Sequence, residues 1–144
     1  MAAPAPSPEN PLAGSCLCGG VRFEVTQPLV SASYCHCTRC RRRTGTGASV
    51  QARIVPGSLR VEEGEELLRE YAFEAGWAKV FCGRCGSSLW SQSPDDPGLK
   101  SVRLGAFDGD PGIEPGYHQF TAYAAGWAPV PDDGLPRFPE RRPA

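Results

Sequence analysis

Cys35-His36-Cys37-Thr38-Arg39-Cys40 sets three thiols within six residues and runs directly into Arg41, Arg42 and Arg43. In an extended segment residues i and i+2 point to the same side, so Cys35 and Cys37 present their sulfurs to one ion while His36 faces away. A turn then brings in Cys40. With Zn–S near ~2.3 Å, tetrahedral geometry asks for sulfurs roughly 3.7 Å apart, a spacing that Cys-x-Cys on a strand and Cys-x-x-Cys across a turn both reach. Three ligands are supplied locally and a fourth is not. A structural zinc is normally closed by four protein ligands, whereas a catalytic zinc keeps one position for water or substrate. The competing readings are a second structural zinc closed by His36 or His118, and a cluster of buried free thiols.

The other four cysteines fall into two pairs, Cys16-Leu17-Cys18 followed by Gly19-Gly20, and Cys82-Gly83-Arg84-Cys85 followed by Gly86. Together they complete one tetrahedron, so the seven cysteines divide as one closed set of four and one open set of three. The long insertion between the pairs makes the closed site a structural clamp, and metal bound there contributes folding free energy directly. Iron also suits four thiolates, but nothing in the sequence suggests electron transfer. Cys-x-x-Cys is a redox motif as well; no βαβ pattern surrounds it here. The expected cofactor is zinc, two ions per chain.

Around these motifs the chain reads as short strands. Val21, Phe23 and Val25 alternate with Arg22 and Glu24, the period of a half-buried strand. Leu29 to Tyr34 leads into the three-cysteine segment, and Val50, Ala52 and Ile54 resume the alternation. Leu59 and Val61 are expected to form one arm of a hairpin with Glu62–Glu66 at its tip and Leu67, Arg69 and Tyr71 on the return arm. Ala78–Phe81 delivers the second cysteine pair, Ser88–Ser91 returns from it, and Val102 with Leu104 marks a further strand. Tyr117–Tyr123 reads as the last one. Residues 1–13 form an expected disordered tail, 14–138 a single zinc domain and 139–144 a flexible C-terminus. The expected fold is mainly β, several short antiparallel sheets and hairpins pinned by zinc.

At 144 residues with 40% hydrophobic content, the chain is long enough for one domain with its own core. Seventeen glycines and 15 prolines favour turns over long helices. A net charge of -1 gives no global reason to bind nucleic acid. No apolar run is long enough to cross a membrane and the N-terminus lacks a signal-peptide pattern, so the expected compartment is cytoplasmic. An odd number of cysteines also argues against a fully paired secreted framework. Arg39, Arg41 and Arg42, with Arg43, are candidate carboxylate binders, because forked guanidiniums suit carboxylates. Thr44 and Gly45 open a loop to Gly47 whose backbone amides are candidates to steady a developing alkoxide.

Three segments, Gly14-Ser15-Cys16-Leu17-Cys18-Gly19-Gly20, Tyr34-Cys35-His36-Cys37-Thr38-Arg39-Cys40-Arg41 and Phe81-Cys82-Gly83-Arg84-Cys85-Gly86, resemble the glutathione-dependent formaldehyde-activating (GFA) family, related to the centromere protein V domain. Gly105-Ala106-Phe107-Asp108, His118 and Trp127 look like further family landmarks; where members often carry Ser-Lys before that tryptophan, Ala125-Gly126 stands. The resemblance implies an Mss4-like fold, a structural zinc on Cys16, Cys18, Cys82 and Cys85, and a catalytic zinc on Cys35, Cys37 and Cys40. It also implies a carbon–sulfur lyase that joins glutathione or a similar small thiol to formaldehyde or another small aldehyde. The reading from a different class is a zinc-stabilised binding module without turnover. A methionine sulfoxide reductase on a related fold is disfavoured, since no cysteine follows Cys85 to act as nucleophile.

Overall fold

The structure, a computed structural model, describes residues 4–143. Among these residues ten short strands form two sheets. β1 (Leu12–Ser15), β2 (Arg22–Val25) and β5 (Leu59–Glu63) make an antiparallel three-stranded sheet with β2 in the centre. The second sheet has seven strands: β3 (Ser31–Cys35), β4 (Ser49–Arg53), β6 (Leu68–Tyr71), β7 (Ala78–Cys82), β8 (Ser88–Gln92), β9 (Lys100–Arg103) and β10 (His118–Gln119). Their order is β10-β3-β4-β9-β8-β7-β6, antiparallel throughout except for the β10–β3 pair. The expected mainly β class holds.

Pleating gives this second sheet two different faces. Val80, Trp90, Val102 and Ala52 lie opposite one another across four strands and are all buried. Val80, Trp90 and Val102, with Leu89, Ile54 and Phe107, meet Val21 just before β2 and Phe23 and Val25 within it to form the core. Phe23 packs edge-on against both Trp90 (5.6 Å) and Phe107 (5.9 Å), the arrangement favoured by the ring quadrupole. One residue along, the row Lys79–Ser91–Ser101–Arg53–Ser31 crosses the same sheet on its opposite face. That polar row forms the floor of the site described below.

Three expectations about local structure are corrected. Leu59–Tyr71 is not a hairpin: β5 pairs with β2 in the small sheet, and β6 pairs with β7 in the large one. Gly64, at φ 81°, lets the chain leave one sheet, and a 3₁₀ turn at Glu65–Leu67 carries it to the other. A Cβ at Gly64 would sit 2.1 Å from the backbone oxygen of Gly20, in a conformation that already disfavours side chains. Gly64→Ala is therefore expected to destabilise the protein by about 1–3 kcal/mol or more, measured by denaturant unfolding. Second, Thr38–Thr44 is a helix, α1, not a turn and loop. Third, only His118–Gln119 of Tyr117–Tyr123 is strand; Phe120 adopts φ 56° and a 3₁₀ turn follows.

Both termini, where described, are bonded to the body. Strand β1 begins at Leu12, and a bridge joins Ser7 to Asn10. At the other end Glu140 O accepts from Phe120 N–H (3.0 Å) and Pro139 O from Ala122 N–H (3.2 Å). Residues 1–3 and 144 of the two expected tails lie outside the described residues. No helix among the described residues is long and apolar enough to cross a membrane.

Candidate metal centres and the pocket beside them

The two ends of the cysteine clamp are turns built alike. After β1, Cys16 N–H donates to Val21 O and Gly19 N–H to Cys16 O, with Gly19 at φ 74°. After β7, Gly86 N–H donates to Cys82 O, with Gly86 at φ 80°. These glycines permit the positive φ that folds amides back around sulfur. Val21 N–H accordingly donates to Cys16 Sγ at 3.2 Å. Cys16 and Cys18 sulfurs stand 3.5 Å apart, and those of Cys18 and Cys82 3.9 Å, bracketing the tetrahedral zinc spacing. All four ligand atoms lie within 4.8 Å of one another. The separations are far beyond a disulfide bond, and all seven cysteines are free. The Ser87 hydroxyl, with Ser87 and Cys18 backbone donors, pushes the Cys85 thiol down to about 5. Arg84 Nε–H donates to Cys18 Sγ at 3.2 Å, further favouring thiolate. Four such sulfurs fit a closed zinc site.

The second cluster joins the end of β3 to the start of α1. Cys35 is buried at the last position of β3, and Cys37 is the N-cap of α1, its sulfur accepting from Cys40 N–H at 3.2 Å. Cys40 lies on the first turn. The three sulfurs fall within 4.8 Å of one another, and among the described residues no fourth Cys, His, Asp or Glu joins them. Hydrogen bonds from Cys35 and Cys37, then Ser49 and the charge of Arg103, push Cys40 down to about 2 against the cost of burial. Cys35 is driven upward by the same sulfur contacts and by burial. Three thiols crowded in this way compete for protons, a competition that a divalent cation relieves. The donor set fits zinc with an open position.

Neither histidine closes that position. His36 Nε2 lies 2.9 Å from His118 Nδ1, and His118 Nε2 lies 2.7 Å from an Asp133 carboxylate oxygen. Both ring nitrogens of His118 are thus taken, its ring stacks on Tyr34 at 4.7 Å, and it is 1% exposed. Burial, and then the neighbouring His118 ring, hold His36 below its ordinary pKa, while His118 holds Asp133 low. The two buried rings brace the segment between Cys35 and Cys37 from behind.

The three sulfurs open into a pocket of about 540 Å³. Its floor is the polar row of the large sheet, joined by Gln51 and Arg103 from the next row, and its walls include Arg39, Phe73, Trp77 and Tyr117. Arg39 is fixed by donation to Ala75 O (2.8 Å) and by lying over the Phe73 ring (4.6 Å). Arg53 lies over Trp77 at 4.6 Å. Lys79 donates to Ser91 Oγ at 3.1 Å, and burial lowers its pKa. Arg103 is 8% exposed and donates to Gln51 Oε1 and Ser88 Oγ.

Of the expected substrate contacts only Arg39 lines this pocket. Each helical residue rotates about 100°, so the run of arginines is dispersed around α1 instead of forming a collar. Arg41 and Arg42 do not line the pocket. Arg43 lies over Phe81 at 5.3 Å. Thr44 and Arg43 instead border a separate hollow of about 650 Å³ that also reaches Cys16. Gly45 is the left-handed C-cap of α1; its amide donates to Arg41 O, and that of Thr46 to Thr44 Oγ1. The amides of Gly45 and Thr46 are thus already satisfied within the chain. The sequence reading missed Lys79, Arg53 and Arg103, whose signal was their alternation with apolar core positions along their strands.

The family model described as glutathione-dependent formaldehyde-activating enzyme matches residues 11–123. The chain belongs to this GFA family. A Halomonas elongata protein, provisionally named as a glutathione-dependent formaldehyde-activating enzyme, is 33% identical over 105 residues, spanning 69% of this chain and 67% of that protein. The crystal structure of a Rhodobacter sphaeroides protein from a structural genomics programme superposes with a TM-score of 0.59 at 26% identity, covering 88% of this chain and 99% of that one. In this GFA-family chain the mainly β architecture with two cysteine clusters corresponds to an Mss4-like fold.

Proposed function

We propose that the chain is a zinc-dependent carbon–sulfur lyase-type enzyme that adds a small thiol, glutathione or similar, to formaldehyde or another small carbonyl compound. The observation that supports this most is the cluster of Cys35, Cys37 and Cys40, which has no fourth Cys, His, Asp or Glu donor among the described residues and opens into a cationic pocket. Two zinc ions per chain are proposed, one on Cys16, Cys18, Cys82 and Cys85 and one on the three-cysteine cluster. Zinc at the open cluster would supply Lewis acidity and hold an incoming sulfur as thiolate at neutral pH. In the overall change a C–S bond forms, the carbonyl π pair moves to oxygen, and the proton lost from sulfur ends on that oxygen. Arg39, fixed at the mouth, is placed to hold a carboxylate of the thiol compound. Lys79 Nζ and the Arg103 guanidinium bring positive charge to the floor, where Nζ can hand its proton to the developing alkoxide and then recover the one released by the thiol. Phe73, 5.9 Å from Lys79 Nζ, and Trp77, beneath Arg53, line the same pocket. Free cysteines suit a reducing compartment, so the proposed setting is the cytoplasm, with no nucleic-acid partner.

Exchange spectroscopy by NMR on the zinc-loaded protein with formaldehyde and glutathione or mercaptosuccinate tests the reading. Adduct formation faster than the uncatalysed background is expected, and none with an S-methylated thiol. Background rates with every small thiol tried, together with an unchanged metal site, would assign the chain to the binding-module class.

A further inference from the structure

The charge lining the pocket is one-sided. Arg39, Arg53, Lys79, Arg103, Arg141 and Arg142 border it, and among the described residues no aspartate or glutamate does. Among the described residues none of the six is ion-paired. The ion pairs among the described residues involve Arg22, Arg60 and His118 only. The partners of the pocket cations are neutral: Ala75 O for Arg39, Ser101 Oγ for Arg53, Ser91 Oγ for Lys79, and Gln51 with Ser88 for Arg103.

Part of this charge answers to the sulfurs. Three thiolates around a divalent cation leave a net charge of minus one, and an incoming thiolate makes it minus two. Lys79 and Arg103, which line the pocket together with the three sulfurs, balance that sum. Arg39, Arg53, Arg141 and Arg142 remain. Two of them come from the C-terminal segment, which is held over the pocket by the bond from Phe120 N–H to Glu140 O and by Arg142 lying 4.4 Å from the Tyr117 ring. Four surplus guanidiniums ask for more negative charge than a single carboxylate supplies. They also repel an ammonium group, which finds no Asp or Glu among the described lining residues. Glutathione carries two carboxylates and one ammonium, and so matches only half of this lining.

We propose that the pocket selects a small thiol bearing two or more anionic groups, carboxylate or phosphate, and no ammonium, with Arg141 and Arg142 gripping the end remote from sulfur. This rests on the thiol-binding reading above and narrows its substrate class. Isothermal titration of the zinc-loaded protein compares glutathione with N-acetylglutathione, which differ only in the ammonium, and mercaptosuccinate with cysteamine. N-acetylglutathione is expected to bind at least about fivefold tighter than glutathione, the factor that one screened unit charge at close range supplies. Cysteamine is expected to be the weakest of the four, and mercaptosuccinate affinity to fall with added salt. The Arg141→Ala/Arg142→Ala variant alters only exposed tail residues, and should weaken N-acetylglutathione about fivefold or more while circular dichroism is unchanged. The S-methyl forms of both glutathiones should keep the same order of affinity. That comparison separates charge selection from sulfur chemistry, so loss of the order with adduct formation intact would overturn this inference alone. Equal or tighter binding of glutathione, or an undiminished double variant, would also overturn it.

Discussion

Cys82→Ser is expected to abolish the cooperative fold. Cys82 is fully buried at the end of β7, and its sulfur lies 3.9 Å from that of Cys18 in the turn after β1. The four-cysteine cluster therefore ties the small sheet to the large one at the edge of the core. Structural zinc supplies roughly 10–16 kcal/mol of binding free energy to small domains, against a total stability of about 5–15 kcal/mol. Serine offers a hydroxyl where a thiolate ligand is needed, and leaves three charged sulfurs with an incomplete shell. The expected result is loss of the β-type circular dichroism signal and of both equivalents of zinc by metal analysis. A Cys82→Ser variant that stays folded and retains its metal would contradict the structural role.

How much of this was legible in the sequence follows the range of the interactions involved. Val21, Phe23 and Val25 announced β2, because period-two burial is a local pattern, and all three are indeed in the core. The cysteine groups were legible for a similar reason: each pair or triplet sits within one short segment, and the clusters assemble only one or two such segments. α1 was not, because its N-cap is a cysteine, which gives none of the usual Ser, Thr, Asp or Asn signal. The transfer of the chain from β5 to β6 in the other sheet was hidden as well. A glycine between two strands reads as a hairpin tip unless its contact with Gly20 is known. Lys79, Arg53 and Arg103 were the hardest to see. Each is a lone cation in a separate strand, and only the register across β7, β8, β9 and β4 gathers them around one pocket. The tail arginines were lost in a proline-rich terminus whose hydrogen bonds run to backbone groups of Phe120 and Ala122.

Cys37→Ser should behave in the opposite way to Cys82→Ser, and the reason lies in its position. The Cys37 sulfur caps α1 by accepting from Cys40 N–H, and serine is among the best residues for that role. The substitution therefore preserves helix α1, while the buried His36–His118 pair, held by Asp133, continues to brace the segment before it. What it removes is one soft ligand from a set of three, and a neutral hydroxyl does not replace a thiolate on zinc. The variant is expected to fold with a wild-type circular dichroism spectrum, to carry one zinc in place of two, and to lose the whole catalytic excess in adduct formation with formaldehyde and thiol. Glutathione binding through carboxylates to Arg39 should persist, weakened. Unfolding on the scale of Cys82→Ser would show that the three-cysteine cluster is structural too. A folded, one-zinc variant that kept the excess rate would move the chemistry away from these three sulfurs.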